Sequence, residues 1–164
     1  MSGGTWADTR ARLGRNDLPA ALATAVFEET LTSPDEIAAG IAEAWQACEW
    51  PLQQMEASVW IWLFSQVLNP HQYLRRASIV SQIGLPPFTR LYRGAAPGHA
   101  EGMAWTTNRE RANWYATRFS HREGHLYTIE AASQLVLARF PGYPDDEWVL
   151  NSFKFQPGEV KLAA

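Results

Sequence analysis

The sequence predicts an α+β protein, with a helical stretch over residues 1–87 followed by a β-rich stretch over 88–164. Two patterns say so. Before Pro87 the apolar residues recur at helical spacing behind recognisable caps. After Phe88 the runs become short, alternating and β-prone. Composition supplies a third observation: the chain has 164 residues, of which 46% are hydrophobic and 19% charged. That is about one globular domain's worth, able to bury roughly 70% of its unfolded surface. At this length the two stretches are expected to form one continuous unit.

The elements follow in order. After a frayed start, Asn16 or Asp17 can cap a helix running from Pro19 towards Glu29, with the proline suited to a first turn. Ser33-Pro34-Asp35-Glu36 opens the next helix, with a cap, a first-turn proline and Glu at the capping-box position. Ile37, Ile41, Trp45 and Cys48 give that helix one apolar face, and Pro51 interrupts it. Glu56 to Leu68 is apolar nearly all round, with Trp60, Leu63, Phe64 and Val67 on adjoining faces, which suits the middle of a bundle or a docking face. Asn69-Pro70 is a break, and His71 to Ile83 reads as a fourth helix, ended by Gly84 and Pro86-Pro87. Beyond it, Thr89–Arg93, Gly102–Thr107, His125–Glu130, Leu135–Phe140 and Glu147–Leu150 read as strands, and Ser152–Phe155 as the strand that ends the sheet. Asn108 can cap a helix from Arg109 to Phe119, with Ala112, Tyr115 and Phe119 on one face.

Composition excludes several function classes. The single cysteine, Cys48, rules out an intramolecular disulfide framework and a zinc site built on several thiolates. It lies on an apolar helix face and reads as an inert core thiol. A net charge of −3 argues against binding nucleic acid by field alone, which needs many Lys and Arg. The charge is divided: the first 87 residues carry five basic and nine acidic groups, the rest nine and eight. Arg90, Arg93, Arg109 and Arg111 cluster near strand and helix starts, a place for a modest anion such as a diphosphate. Eight tryptophans are expected mostly to pack helices. The first residues hold no apolar signal core and no run is long enough to span a membrane, so a cytoplasmic protein in a reducing interior is expected.

Familiar chemical motifs are absent: there is no phosphate-binding GxxxxGK[ST] loop, no GxGxxG after a strand and no HExxH. His121 and His125 flank Glu123 in a polar stretch that reads as a solvated loop, and His71 and His99 beside Pro or Gly read as turn residues. No metal is expected. What remains is a spaced trio in the second half: Arg93 between Tyr92 and Gly94, the Thr106-Thr107 pair after Trp105, and Glu147 opening an apolar strand.

The segments LYRG, GMAWTT and DDEWVL resemble, in that order, the arginine, Ser-Thr-Ser and glutamate motifs of mono-ADP-ribosyltransferases of the Arg-Ser-Glu class. The resemblance covers Thr89 to Phe155. It implies a split-sheet core with an NAD cleft on which the helical half packs. Arg93 would anchor NAD through its phosphate and ribose region, beside Tyr92 and Gly94. Trp105, Thr106 and Thr107 would match the triplet that shapes the cleft, with Thr106 its central Thr. Glu147 would match the catalytic glutamate. Asp145 stands where arginine-modifying members carry a second glutamate, and so would recognise the target. Tyr115, or failing it Trp114, would stack on nicotinamide. Three features differ from the pattern: only twelve residues separate Arg93 from Thr106, the triplet begins with Trp, and the second acid is Asp. The bacterial toxins of the class usually carry long helical insertions in the first of these places.

The residue chemistry leads the same way. Cleaving the nicotinamide–ribose bond builds positive charge on the sugar, and a fixed carboxylate stabilises it. Glu147 could also hold the ribose 2′-hydroxyl and help deprotonate a nucleophile. Arg93 offers a planar fork matched to phosphate oxygens. Local sequence also allows plainer readings: Arg93 as a surface residue at a strand end, Thr106-Thr107 as a strand-to-helix cap, and Glu147 with Asp145 and Asp146 as a solvated turn.

The expectation is an NAD-dependent glycosyl-class transferase that passes ADP-ribose to a protein, or to a nucleotide or nucleic-acid end, with the helical half free to dock a partner. The alternatives are a non-catalytic binding module on the same scaffold and an NAD glycohydrolase.

Overall fold

The computed structural model describes residues 5–67, 85–118, 123–142 and 144–163. The expected fourth helix, His71 to Ile83, lies outside the described residues. The chain divides into two compact units, Met1–Arg76 and Ala77–Ala164. Among the described residues the fold is mixed α+β: six α-helices and one six-stranded antiparallel sheet. No helix among them is long and apolar enough to cross a membrane.

The first unit contains α1 (Trp6–Ala11), α2 (Leu18–Phe27), α3 (Pro34–Ala47), α4 (Pro51–Gln54) and α5 (Ala57–Ser65). The frayed start expected from sequence is instead a helix: Thr5 caps α1 in a reciprocal capping box with Asp8. Ser33 caps α3, its hydroxyl accepting from the Glu36 N–H. The apolar stripe read from spacing is the buried one: Ile37, Ile41, Trp45 and Cys48 are all at most 6% exposed. α3 and α5 are joined by aromatic edges. The Trp45 ring meets Trp60 at 4.9 Å and Phe64 at 5.8 Å, and the Trp60 indole donates to the Pro51 carbonyl at 3.0 Å. Thus Pro51 both stops the preceding segment and presents the acceptor that a fully buried indole needs.

The second unit is a sheet of β1 (Phe88–Ala95), β2 (Ala104–Thr106), β3 (His125–Ala132), β4 (Val136–Phe140), β5 (Glu147–Leu150) and β6 (Lys161–Leu162). The strand order is β4-β5-β2-β1-β3-β6. One face carries a core of Leu91, Trp105, Ile129, Ala131, Leu135, Val136, Trp148 and Leu150. Two of the buried tryptophans, Trp105 and Trp148, therefore pack as a cross-strand pair and not between helices. The other face receives α6 (Arg109–Thr117), whose Asn108 cap accepts from the Arg111 N–H at 3.1 Å. The helix backbone lies directly on Gly94 and Gly124: a Cβ on either would come within 1.9 Å of a carbonyl of Ala112 or Ala116.

One expected strand is absent. Ser152–Lys154 is a 3-10 turn, because the Asn151 side chain accepts from the Phe153 N–H and curls the chain as it leaves β5. Phe155 then turns onto Trp105, ring centroids 6.1 Å apart. The last strand is instead β6, two exposed residues paired with Tyr127 and Thr128, too short to show a period in sequence.

Candidate functional site

The strand order puts β1, β2 and β5, which carry Arg93, Thr106 and Glu147, side by side. The register is more specific. Tyr92 opposes Thr106, and Thr106 opposes Glu147. Directly opposed residues of antiparallel strands share a face, so Tyr92, Thr106 and Glu147 form one cross-strand row. Arg93 belongs to the adjacent row, with Trp105 and Trp148, and leaves its strand on the other face.

The Arg93 guanidinium is nevertheless turned towards the junction of β1 and β2. Those strands share the single described pair Tyr92–Thr106, whereas β1 and β3 share eight. Where the ladder stops, Arg93 takes over: its Nη1 donates to the Ala104 carbonyl at 3.0 Å and its Nε to the His99 carbonyl at 3.1 Å. Burial lowers the Arg93 pKa to about 10, while the charge of Glu147 pulls it up. The two charges therefore feel each other across the strand junction, and Arg93 stays cationic at neutral pH.

The guanidinium rests on Gly102, where a Cβ would lie 2.3 Å from its Cζ and Nη2. Gly102→Ala is expected to push the guanidinium aside and weaken both carbonyl bonds. Bonds from a charged donor contribute about 1.5–3 kcal/mol each, and part is regained from water. A loss of about 2 kcal/mol in chemical denaturation, matched by Arg93→Gln and not added to it in the double variant, would show that the two residues act together.

Thr106 is buried at 7% exposure. Its hydroxyl donates to the Asp145 carbonyl and accepts from the Asn108 N–H at 3.0 Å. Asn108 also donates to the Pro144 carbonyl at 3.0 Å. The Thr106–Asn108 segment is thus at once a strand-to-helix turn and a fastening for the loop that delivers Glu147. Thr107 donates to the Asp146 carboxylate.

The aromatic residues lie around the start of α6. The Arg109 guanidinium sits 5.5 Å from the Tyr92 ring centroid, next to the Thr106–Glu147 row. Tyr115 donates its hydroxyl to the Asp145 carboxylate at 3.2 Å, and its pKa is raised by burial and the nearby Asp145 charge. Trp114, half exposed, carries the guanidinium of Arg111 at 4.2 Å. Gly94 lies under α6, and Trp105 is a core residue whose indole donates to the Gly102 carbonyl at 2.9 Å. Asp145 is held inside the chain by Arg111 Nε at 2.6 Å and by Tyr115.

Sequence reading missed Gly102, Arg139 and Asp146, and Arg111, expected beside an anion, is bound to Asp145. Asp146 accepts from Thr107, from Arg139 Nε at 3.0 Å and from the Trp148 indole at 3.4 Å. No local signal distinguishes it from its acidic neighbours, since Thr107 and Arg139 come from distant parts of the chain. Burial alone would raise its pKa, but the Thr107, Arg139 and Trp148 bonds and the Arg139 charge outweigh that and hold it below 3.8. A lowered carboxyl pKa stabilises the fold above the ordinary carboxylate range and loses that contribution as pH falls through the folded value. Asp146→Asn should therefore be less stable at pH 6, with the difference narrowing as pH falls through and below the ordinary carboxylate range. Urea melts across that range check it.

Among the described residues no group of three or more His, Cys, Asp or Glu is placed to hold a metal. His71 and His121 lie outside the described residues. The described residues thus bring a tyrosine ring, a buried hydroxyl and a carboxylate into one row beside a strand junction that Arg93 bridges from the adjacent row. No known family model matches this chain, and no curated protein or solved structure matches it either.

Proposed function

We propose that the Ala77–Ala164 unit binds NAD as a substrate, cleaves its nicotinamide–ribose bond and transfers ADP-ribose to a macromolecule. A protein is the favoured target, and a nucleotide or nucleic-acid end the other acceptor. One juxtaposition carries the reading: Glu147 shares a cross-strand row with Thr106 and Tyr92, and the next row holds Arg93.

The chemistry runs as follows. The C1′–N bond breaks, its electron pair leaves with neutral nicotinamide, and the ribose gains cationic character opposite the Glu147 carboxylate. A nucleophile on the target then forms the new bond to C1′ and passes its proton to Glu147 or to water. Arg93 would hold the 99–104 segment with Nε and Nη1 and supply positive charge for the pyrophosphate. Thr106 would fix the strand row, and Tyr92 and Tyr115 offer rings for the nicotinamide side. No target role is retained for Asp145 in this reading, because its carboxylate is already bound by Arg111 and Tyr115. The helical Met1–Arg76 unit would dock the target or a partner, and the cytoplasm would supply NAD.

A second reading, a non-catalytic module, is favoured by one observation. Two of the Arg93 donors are committed to backbone carbonyls, as in a purely structural arginine. Incubation of the full chain with adenine-labelled NAD in a cell lysate separates the possibilities. Label on a macromolecule supports the transferase, and free ADP-ribose with none supports a glycohydrolase. Neither product, together with no thermal shift at millimolar NAD, supports the module; a ligand at a hundred times its Kd would add about 2.7 kcal/mol of stability.

A further inference from the structure

Glu147 is the first residue of β5, and strand ends fray. Its side chain can serve the chemistry proposed above only if the turn before it is fixed, since a one-residue slip in register sends every side chain to the opposite face. Its two sheet partners are Thr106 on one side and Phe140 on the other. The residues next to those partners, Thr107 and Arg139, both donate to the carboxylate of Asp146. The Trp148 indole, on the far side of Glu147 in sequence, donates to the same carboxylate.

Trp148 alternates with Glu147 along β5 and faces the other way, and Asp146, just before the strand, reaches that face through its bonds to Trp148 and Arg139. Arg139 is the cross-strand partner of Trp148, and its guanidinium lies 5.0 Å from the indole centroid. The three bonds therefore close beneath the sheet, on the face opposite Glu147. Asp146 also has a left-handed backbone, φ 32°, which Asp and Asn tolerate better than other side-chain-bearing residues. Its N–H donates to the Gly142 carbonyl, which tightens the same turn.

We propose that Asp146 is a positioning residue for Glu147: a carboxylate latch that ties β4, β2 and the start of β5 together from the opposite face and so sets the aim of a side chain it does not touch. The proposal rests on the NAD reading for its functional consequence, but the latch itself can be measured without turnover.

The test uses the full chain with Asp146→Ala and Asp146→Asn, and with Thr107→Val as a milder variant that keeps the carboxylate and Arg139. The first readout is hydrogen exchange at the Glu147 amide and the Trp148 indole. The latch predicts at least tenfold faster exchange at both in Asp146→Ala, little change in β1 and β3, and an intermediate effect in Thr107→Val. The second is nicotinamide release. Asp146→Ala should lower kcat by tenfold or more with KM within twofold of wild type, and Asp146→Asn, which suits the left-handed backbone but sets an amide donor where one acceptor oxygen stood, should recover only part of the loss. Unchanged exchange at Glu147 in Asp146→Ala and Thr107→Val overturns the latch. So does a kcat loss that Asn rescues in full. If wild type releases no nicotinamide, the NAD reading fails, and the exchange result alone decides the latch.

Discussion

Glu147→Gln is expected to lower nicotinamide release from NAD by at least a hundredfold while leaving the melting temperature within a few degrees of wild type. The substitution keeps the size and shape of the side chain, exchanges one acceptor oxygen for an amide donor and removes the charge. The ribosyl cation needs that charge, and a well-aimed group of this kind contributes about 3 kcal/mol to the transition state, a factor of about a hundred in rate. The positive charge of NAD sits on the nicotinamide ring before the bond breaks and moves onto the ribose as it does, so the loss should fall mainly on kcat and less on KM. Glu147→Asp separates charge from reach. It keeps the carboxylate but withdraws it by one methylene, and misplacement of about 1 Å can cost as much as a hundredfold. A Gln variant with wild-type kcat would remove Glu147 from the chemistry. A variant that loses activity and melting temperature together would point to a structural role for its contact with the Arg93 charge.

Gly94→Ala is the second large effect, and it falls on stability. The added Cβ would sit 1.9 Å from the Ala112 carbonyl oxygen and 2.5 Å from the Ala116 nitrogen. Both are backbone atoms of α6, so no side-chain rotation can relieve the clash. The helix must lift away from β1, with loss of the packing of Ala112 and Ala116, which are 0% and 4% exposed. Overpacking of this kind costs about 3 kcal/mol or more. For a unit this small that is a fall of more than about 10 °C in melting temperature. Calorimetry reads it directly. Because α6 also carries Asn108, Arg111 and Tyr115, its displacement would loosen the 144–146 turn as well, so any NAD turnover should fall with the melt.

Much of the fold was legible. The Ile37–Ile41–Trp45 stripe, the Ser33 cap and the Asn108 cap are local signals, and each does in three dimensions what its spacing says. The change of pattern after Pro87 is where β1 begins. Local signals failed where an element was too short to show a period. α1 has six residues and β6 two, and Ser152–Phe155 has strand composition but an Asn151 side chain that competes for the backbone. At the site, residue types in order could suggest an arginine, a hydroxyl pair and a carboxylate. They could not give the register, which places Tyr92, not Arg93, in the row of Thr106 and Glu147. Nor could they give the partners of Asp145 and Asp146, which come from α6, the end of β2, β4 and β5, between 2 and 39 residues away. Adjacent acids that read alike in sequence are thus separated by topology: one is tied to α6, the next to Thr107, Arg139 and Trp148, and the third opens β5 opposite Thr106.

The central claim is that this row receives NAD, and titration of the isotopically labelled full chain with NAD, followed by amide NMR, tests it most directly. The account predicts saturable shifts at Tyr92, Thr106, Thr107 and Glu147, with the α2, α3 and α5 amides unmoved. The absence of shifts at millimolar NAD, or shifts confined to the Met1–Arg76 unit, would contradict it.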